Sequence, residues 1–157
     1  MKKLLLLSVV FLLLIACNTK KQVEIAVNSG NYDRAINTAL DKLRKNKDKK
    51  RNYDYVIMLQ DAYYKVAERD LETIKHLKKD NNPETFRNIY ELYLDLDARQ
   101  EAIKPILPLN INGKNIPFTF NDYSKDIKSS KTQLADYKNS LGEHKIELHQ
   151  WKTVALM

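Results

Sequence analysis

A long stretch of helical spacing between Tyr53 and Lys79 constrains the fold most. Apolar side chains recur there every three or four residues, which places them on one face of an α-helix. The stripe consists of Val56, Leu59, Tyr63, Val66, Ala67, Leu71, Ile74 and Leu77, and it is broadened by Met58, Ala62 and Tyr64. The polar face includes Asp70. We therefore predict a helix over 53–79 whose apolar stripe is buried.

Helix-breaking residues are rare, since the 157 residues include three glycines and four prolines, and this composition favours a mainly α fold. A second long helix is predicted from Pro83 to Ile103, because Asn82 is a favourable N-cap and proline fits the first helical position. Its apolar face contains Phe86, Ile89, Tyr90, Tyr93, Leu94, Leu96 and Ala98. We expect the two helices to pack as an antiparallel hairpin.

A β-hairpin is predicted over Leu109–Phe120. Asn112-Gly113 is a strong turn dipeptide, apolar residues alternate beyond it, and Pro108 and Pro117 mark edge positions. From Asp122 helical spacing returns and continues to the C-terminus, which predicts a long last helix. Its apolar residues keep a seven-residue repeat at Ile127, Leu134, Leu141, Leu148 and Ala155.

The segment before residue 45 predicts two shorter helices. Val23–Asn28 is followed by a turn at Ser29-Gly30-Asn31, and the next helix has an apolar face of Tyr32, Ala35, Ile36, Ala39, Leu40 and Leu43. The 15 residues SGNYDRAINTALDKL resemble the second helix of a tetratricopeptide repeat, with Gly30 turning the chain. This resemblance implies a stack of antiparallel helical hairpins with a repeat period of about 34 residues.

The start of the chain, MKKLLLLSVVFLLLIAC, is a segment of a different kind. Lys2 and Lys3 precede a run from Leu4 to Ile15 that is apolar apart from Ser8. These twelve residues would form a helix of about 18 Å, well short of a hydrocarbon core of about 30 Å. The run therefore predicts a signal peptide over residues 1–16.

The end of that segment, Leu14-Ile15-Ala16-Cys17, resembles the lipobox of bacterial lipoproteins, and Cys17 is the sole cysteine. The resemblance implies cleavage before Cys17, a thioether-linked diacylglycerol on its sulfur, and a further acyl chain such as palmitate on its amino group. The alternatives are an ordinary secretory signal with an incidental cysteine, and an uncleaved anchor. Two or three acyl chains would hold the protein durably on a membrane.

The predicted location is the cell envelope. In some bacteria an acidic patch directly after the lipidated cysteine resembles an address for the cell surface, and here no acidic residue precedes Glu24. We therefore expect a periplasm-facing protein, on the outer rather than the inner membrane.

The chain carries a net charge of +7, and +5 remains without Lys2 and Lys3. This mildly basic balance suits an anionic lipid surface or an acidic partner, whereas export argues against nucleic acid. Residues 17–22 are interpreted as a lipidated tether, and Lys45–Asn52 (KNKDKKRN) is the densest positive run. Both segments fit either a solvated linker or loop, or a contact to phospholipid headgroups; the loop also suits an acidic partner.

No nucleophile, phosphate-binding or metalloprotease motif occurs, so we predict neither enzymatic activity nor catalytic residues, and no small-molecule substrate is evident. Glu143, His144 and Glu147 lie within about one helical turn, but such a metal site needs matching ligands from other helices. We therefore interpret them as a surface charge cluster and expect no metal and no cofactor beyond the acyl chains on Cys17.

The sequence thus predicts one mainly α domain over residues 23–157, made of stacked helical hairpins with a small β-hairpin. We predict a lipid-anchored, non-catalytic module that binds a protein partner in the envelope. The candidate partner-facing residues are Tyr63, Tyr64, Tyr90 and Tyr93, although aromatic residues at helical spacing more often form core. The alternative is an envelope protein that binds a lipid or glycan on the same tyrosine-rich faces.

Overall fold

The structure is a computed structural model that describes the backbone of residues 20–154 and the side chains of residues 20–142. The described chain is mainly helical with one two-stranded β-hairpin, as predicted. Its helices are α1 (residues 20–28), α2 (Tyr32–Lys45), α3 (Tyr53–Asp80), α4 (Phe86–Ile103) and α5 (Ser124–Val154). The strands are β1 (Leu109–Ile111) and β2 (Lys114–Ile116). Helix α1 includes residues 20–22, which the composition assigned to the tether.

The connection between α1 and α2 is the predicted tight turn. Gly30 adopts a φ of +77°, and the Asn31 amide donates to the carbonyl of Ala26 over 2.8 Å. The side chain of Asn31 then caps α2 by accepting from the Arg34 amide. The chain therefore reverses direction sharply between α1 and α2 within three residues, 29–31.

Two glycine substitutions, which are expected to change the free energy of unfolding in opposite directions, test this turn. Gly30→Ala is expected to lower the free energy of unfolding by about 1–2 kcal/mol, because a side chain disfavours the left-handed conformation. Gly142→Ala is the matched control: it lies within helix α5, nothing lies within 4 Å of its added Cβ, and it is expected to raise stability by up to about 1 kcal/mol. Urea denaturation of both variants measures the two effects; equal signs would contradict the assignment of the turn.

The boundary between α3 and α4 follows the prediction closely. Helix α3 ends at Asp80, one residue beyond the predicted end. The Asn82 side chain accepts a hydrogen bond from the Glu84 amide over 3.0 Å. A short 3-10 turn, Pro83–Thr85, leads directly into α4.

The β-hairpin is shorter than predicted. Asn112 and Gly113 both have positive φ, at 49° and 78°, as a type I′ turn requires, and Leu109 pairs with Ile116. The second strand ends at Ile116 instead of Phe120. Pro117 has no amide hydrogen to donate, and its carbonyl instead accepts from Gln60 Nε2 over 2.7 Å. Residues 117–120, called the strap below, therefore lie along α3.

The described residues divide into two compact units. Unit 1 contains residues 20–69 and Arg99–Phe120, so it holds α1, α2, the first part of α3, the end of α4 and the hairpin. Unit 2 contains Asp70–Ala98 and residues 121–154, so it holds the end of α3, the first part of α4 and α5.

Unit 1 is built around a continuous apolar core. Helix α2 contributes the face predicted for it, with Ala35, Ile36, Ala39, Leu40 and Leu43 buried. Helix α4 is tied to the start of α2 because Arg99 donates to both carboxylate oxygens of Asp33, over 2.6 and 3.2 Å. The other buried core residues are Val23, Ala26, Val27, Tyr55, Val56, Leu59, Ala62, Tyr63, Val66, Ile103, Ile106 and Leu109.

Unit 2 has a smaller apolar core, with Ile74, Ile89, Tyr93, Leu96 and Tyr123 buried. The rings of Tyr93 and Tyr123 lie 6.1 Å apart. Helix α5 adds Ser130, which is buried, whereas Leu141 of the predicted seven-residue repeat is 44% exposed. Leu148 and Ala155 of that repeat lie outside the residues whose side chains are described.

Along α3 the predicted stripe is wrong at two positions, Tyr64 and Leu71, which are 40% and 38% exposed. Ala67 and Leu77 are half-buried. Asp70, placed on the polar face, is 2% exposed, whereas Leu71, placed in the stripe, is 38% exposed. The buried stripe continues from Val66 to Asp70 to Ile74 in steps of four residues. The position on the helix therefore determines that Asp70 is buried and Leu71 is not. Asp70 forms an interaction of its own in this buried position.

Candidate functional site

The predicted anchor, Cys17, and the lipobox residues Leu14, Ile15 and Ala16 lie outside the described residues. The nearest core side chain is Val23, which is 1% exposed in helix α1. Val23 is the sixth residue after Cys17, which limits their separation to about 20 Å. An acyl chain on Cys17 would therefore hold unit 1 close to the membrane surface.

Helix α1 is fastened to the start of α3 by an ion pair. Lys20 Nζ lies 2.6 Å from Asp54 Oδ2, and both side chains are about half exposed. The hydrogen bond and the charge of Asp54 raise the pKa of Lys20 above its ordinary value of 10.5. A raised lysine pKa gives a stabilising contribution that is present below pH 10.5 and is lost only as the pH rises through the folded-state pKa. The pair therefore persists throughout the neutral range.

The structure places the four predicted tyrosines in two pairs. Tyr63 and Tyr64 belong to unit 1, whereas Tyr90 and Tyr93 belong to unit 2. Tyr63 and Tyr93 are 4% and 6% exposed, so both are packing residues. Tyr64 is 40% exposed and Tyr90 is half-buried, which leaves these two as the tyrosines of the set with accessible surface.

Tyr63 and Tyr64 together attach the strap to α3. The Tyr63 hydroxyl donates to the carbonyl of Thr119 over 2.9 Å, and the Thr119 amide donates to the Tyr64 hydroxyl over 3.0 Å. The ring of Tyr64 stacks on Phe118 with an interplanar angle of 18°. The ring of Tyr63 lies 6.0 Å from Phe120. The strap thus contacts the Tyr64 ring, and the residue remains 40% exposed.

Next to Tyr64, the outer face of α3 carries an apolar surface. Ile57 is 54% exposed and lies seven residues before Tyr64, so both are on nearly the same side of the helix. A shallow groove of about 470 Å³ runs along this face. The groove is lined by Ile57, Met58, Gln60, Asp61, Tyr64, Lys65 and Glu68, which we call the α3 face.

The α3 face also carries charged side chains. Lys65 Nζ lies 2.9 Å from Asp61 Oδ2, and this hydrogen bond raises the pKa of Lys65 above its ordinary value of 10.5. Lys65 therefore keeps its charge at neutral pH. The α3 face thus combines exposed apolar side chains with an ion pair, and protein-binding surfaces contain both kinds of group.

Sequence reasoning missed Ile57, which belongs to neither the predicted stripe nor the predicted tyrosine set. Its seven-residue spacing from Tyr64 was a usable indication of a second apolar line on the helix. The role of the strap could not be predicted, because it depends on residues about 55 positions apart in the sequence.

Unit 2 contains a smaller depression of about 290 Å³. Lys78, the cation at its wall, donates to the Tyr93 hydroxyl over 2.8 Å and lies 3.8 Å from Asp126. Its charge is already compensated, so this depression is a weaker candidate than the α3 face.

Two kinds of feature are absent from the part of the chain that the structure describes. No group of three or more histidine, cysteine or acidic side chains is placed to hold a metal ion. No described helix combines the length and hydrophobicity needed to cross a bilayer. The predicted charge cluster at Glu143, His144 and Glu147 lies beyond the described side chains.

Comparison of the chain with protein-family models, with curated proteins and with solved structures finds no match.

Proposed function

We propose that this protein is a lipid-anchored, non-catalytic module that binds a protein partner in the bacterial cell envelope. Acylation of Cys17 is supported by the resemblance of Leu14–Cys17 to a lipobox. It is also supported by the composition, since Cys17 is the sole cysteine of the sequence. The periplasm-facing side of the outer membrane is the proposed location.

The observation that carries the protein-binding role is the exposed apolar surface of the α3 face. Ile57 and Tyr64 lie on it at 54% and 40% exposure, and tyrosine is among the residues that dominate binding energy in protein interfaces. The strap holds the Tyr64 ring in a fixed orientation through Phe118 and the Thr119 amide. A fixed anchor side chain loses little conformational freedom when a partner covers it.

The stack of helices supports the same proposal. The Lys20–Asp54 pair joins residues 34 positions apart, at the starts of α1 and α3. This offset equals the period of about 34 residues that the tetratricopeptide resemblance implies. The lipid- or glycan-binding alternative would use the same tyrosine-rich faces, and the burial of Tyr63 and Tyr93 leaves Tyr64 and Tyr90 for either function.

The α3 face is tested by site-specific photo-cross-linking in cells. A photoreactive amino acid at position 57 or 64 is expected to yield one discrete protein adduct. Position 94 in unit 2 is the matched control, because Leu94 is also partly exposed, at 38%. Equal adducts at all three positions, or none at 57 and 64, would contradict the proposal.

A second substitution makes that test specific. Ile57→Asp is expected to reduce the adduct at position 64 about tenfold or more, because it places an unpaired charge within the contact. Leu94→Asp is expected to leave the adduct unchanged. Native mass spectrometry of the same preparation addresses the alternative function: a tightly held lipid or glycan in place of a protein would favour it.

A further inference from the structure

Three segments of unit 1 meet at one end of the helix stack. The Asn52 side chain donates to the Asn46 carbonyl, which holds the C-cap of α2 beside the start of α3. The Lys20–Asp54 ion pair brings the start of α1 to the same place. We call residues 20–22 and 45–54 the basic end.

The basic end accounts for the entire net charge of the chain from Cys17 onward. It contains seven basic side chains and two acidic ones, a net charge of +5. The remaining residues from Cys17 onward contain 18 basic and 18 acidic side chains and are therefore neutral. The basic side chains are Lys20, Lys21, Lys45, Lys47, Lys49, Lys50 and Arg51.

Most of these charges are not neutralised within the protein. Among the residues that the structure describes, four exposed side chains of the loop form no ion pair, namely Lys45, Lys49, Lys50 and Arg51. Lys47 Nζ donates to the carbonyls of Ile106 and Pro108, over 2.9 and 3.0 Å, and neutral acceptors leave its charge in place.

The loop that carries them has a defined shape. The Asn46 side chain accepts from the Lys49 amide over 3.2 Å, and buried Asn52 donates to the Asn46 carbonyl. Residues Lys50–Asn52 form a 3-10 turn that runs directly into α3. The basic side chains are thus held on a built surface at the end of the stack.

The position of the proposed anchor decides what this surface faces. Lys20 is the third residue after Cys17, which limits their separation to about 11 Å. This distance is close to the Debye length of about 8 Å at physiological ionic strength. Acyl chains on Cys17 would therefore hold Lys20 near the lipid headgroups, and the Lys20–Asp54 ion pair joins Lys20 to the end of the basic loop.

We propose that the basic end is a contact surface for anionic phospholipid headgroups, which orients unit 1 on the membrane. The proposal rests on the lipid anchor proposed above and adds a second, electrostatic contact to it. A phosphate group free in solution and an acidic protein share part of this chemistry, so each is an outcome of the test.

The test uses the full acylated protein, extracted from membranes and reconstituted into vesicles. Hydrogen exchange of the amides of residues 45–52 is compared between phosphatidylcholine vesicles and vesicles that also contain phosphatidylglycerol. We expect severalfold slower exchange with phosphatidylglycerol, and loss of that protection in 1 M salt, where the Debye length is about 3 Å.

Charge variants assign the protection to the basic end. The triple variant Lys49→Gln, Lys50→Gln, Arg51→Gln is expected to lose it, since about 1 kcal/mol per charge amounts to a roughly hundredfold lower ratio of bound to unbound surface for three charges. The matched control Lys125→Gln, Lys128→Gln, Lys131→Gln removes three exposed charges from α5 and is expected to retain it. Exchange of the core amides of α2 reports whether each variant is folded.

The possible results distinguish failure of the headgroup contact from failure of the lipid anchor. Acylated Cys17 without lipid-dependent protection would overturn the headgroup contact and leave the anchor intact, whereas an unacylated Cys17 would overturn both. Protection by inorganic phosphate without vesicles would indicate a soluble-anion site and overturn the membrane contact. Protection that requires an added acidic envelope protein would likewise overturn it.

Discussion

Replacing Tyr63 by alanine is expected to lower the free energy of unfolding of unit 1 by about 3–5 kcal/mol, the range for truncation of a buried large aromatic side chain. The side chain is 4% exposed, and its ring lies 5.8 and 6.0 Å from the rings of Phe118 and Phe120. Its hydroxyl also contacts the Thr119 carbonyl and Gln100 Oε1, over 2.9 and 3.4 Å. The variant loses the ring and both hydrogen bonds, so the strap loses its inner attachment.

The neighbouring tyrosine provides the matched control. Tyr64→Ala is expected to cost about 1–2 kcal/mol, because Tyr64 is 40% exposed and contributes one ring stack and one hydrogen bond to the strap. Tyr63→Phe, which keeps the ring, is expected to cost about 1 kcal/mol. Urea denaturation followed by circular dichroism measures all three. A cost for Tyr63→Ala no larger than that for Tyr64→Ala would contradict the inward and outward assignment of the two rings.

Cys17→Ser is expected to abolish incorporation of a fatty-acid analogue completely. The proposed acyl chains need the Cys17 sulfur and the amino group released by cleavage before it, and the chain has no other thiol. At about 0.8 kcal/mol for each buried methylene, loss of two or three chains removes durable attachment to the membrane. Metabolic labelling followed by fractionation of membranes measures both effects on the same sample.

A cysteine moved to another position tests whether acylation requires position 17 or only an exposed thiol. The double variant Cys17→Ser, Asn28→Cys carries one thiol at an exposed site of helix α1 and is expected to remain unlabelled. Label on this variant would show that any exposed cysteine is acylated. Label on Cys17→Ser alone would exclude Cys17 as the site.

The helices could be predicted because their determinants are local. The 3.6-residue period placed α3 within one residue of its observed end, and Asn82 caps the following turn as predicted. Asn112-Gly113 specified its own turn, because both residues adopt the positive φ that the turn type requires. Each of these features depends on residues within a few positions of one another.

The misplaced features depend on contacts between residues distant in sequence. Apolar alternation extended the hairpin to Phe120, but Gln60, 57 positions away, binds the Pro117 carbonyl and directs the strap onto α3. Hydropathy assigned Leu71 to the stripe, whereas helical geometry buried Asp70. Residue type alone therefore gave the wrong end for the hairpin and the wrong face for Asp70, because in both places a polar group forms an interaction of its own.

The features of the candidate site also differ in whether they depend on neighbouring residues or on residues distant in sequence. The proposed anchor stays a prediction from four consecutive residues, Leu14 to Cys17, which lie outside the described residues. The two basic segments were each open to a solvated interpretation, and the Lys20–Asp54 ion pair places them on one surface. The α3 face needed the strap to show which of two adjacent tyrosines is accessible.

The intact mass of the native protein extracted from membranes tests the central claim most directly. The account predicts a chain that begins at Cys17 and carries a diacylglycerol and a further acyl group, with fragmentation placing both on that residue. A chain that retains Met1–Ala16, or one that begins at an unmodified Cys17, would contradict it.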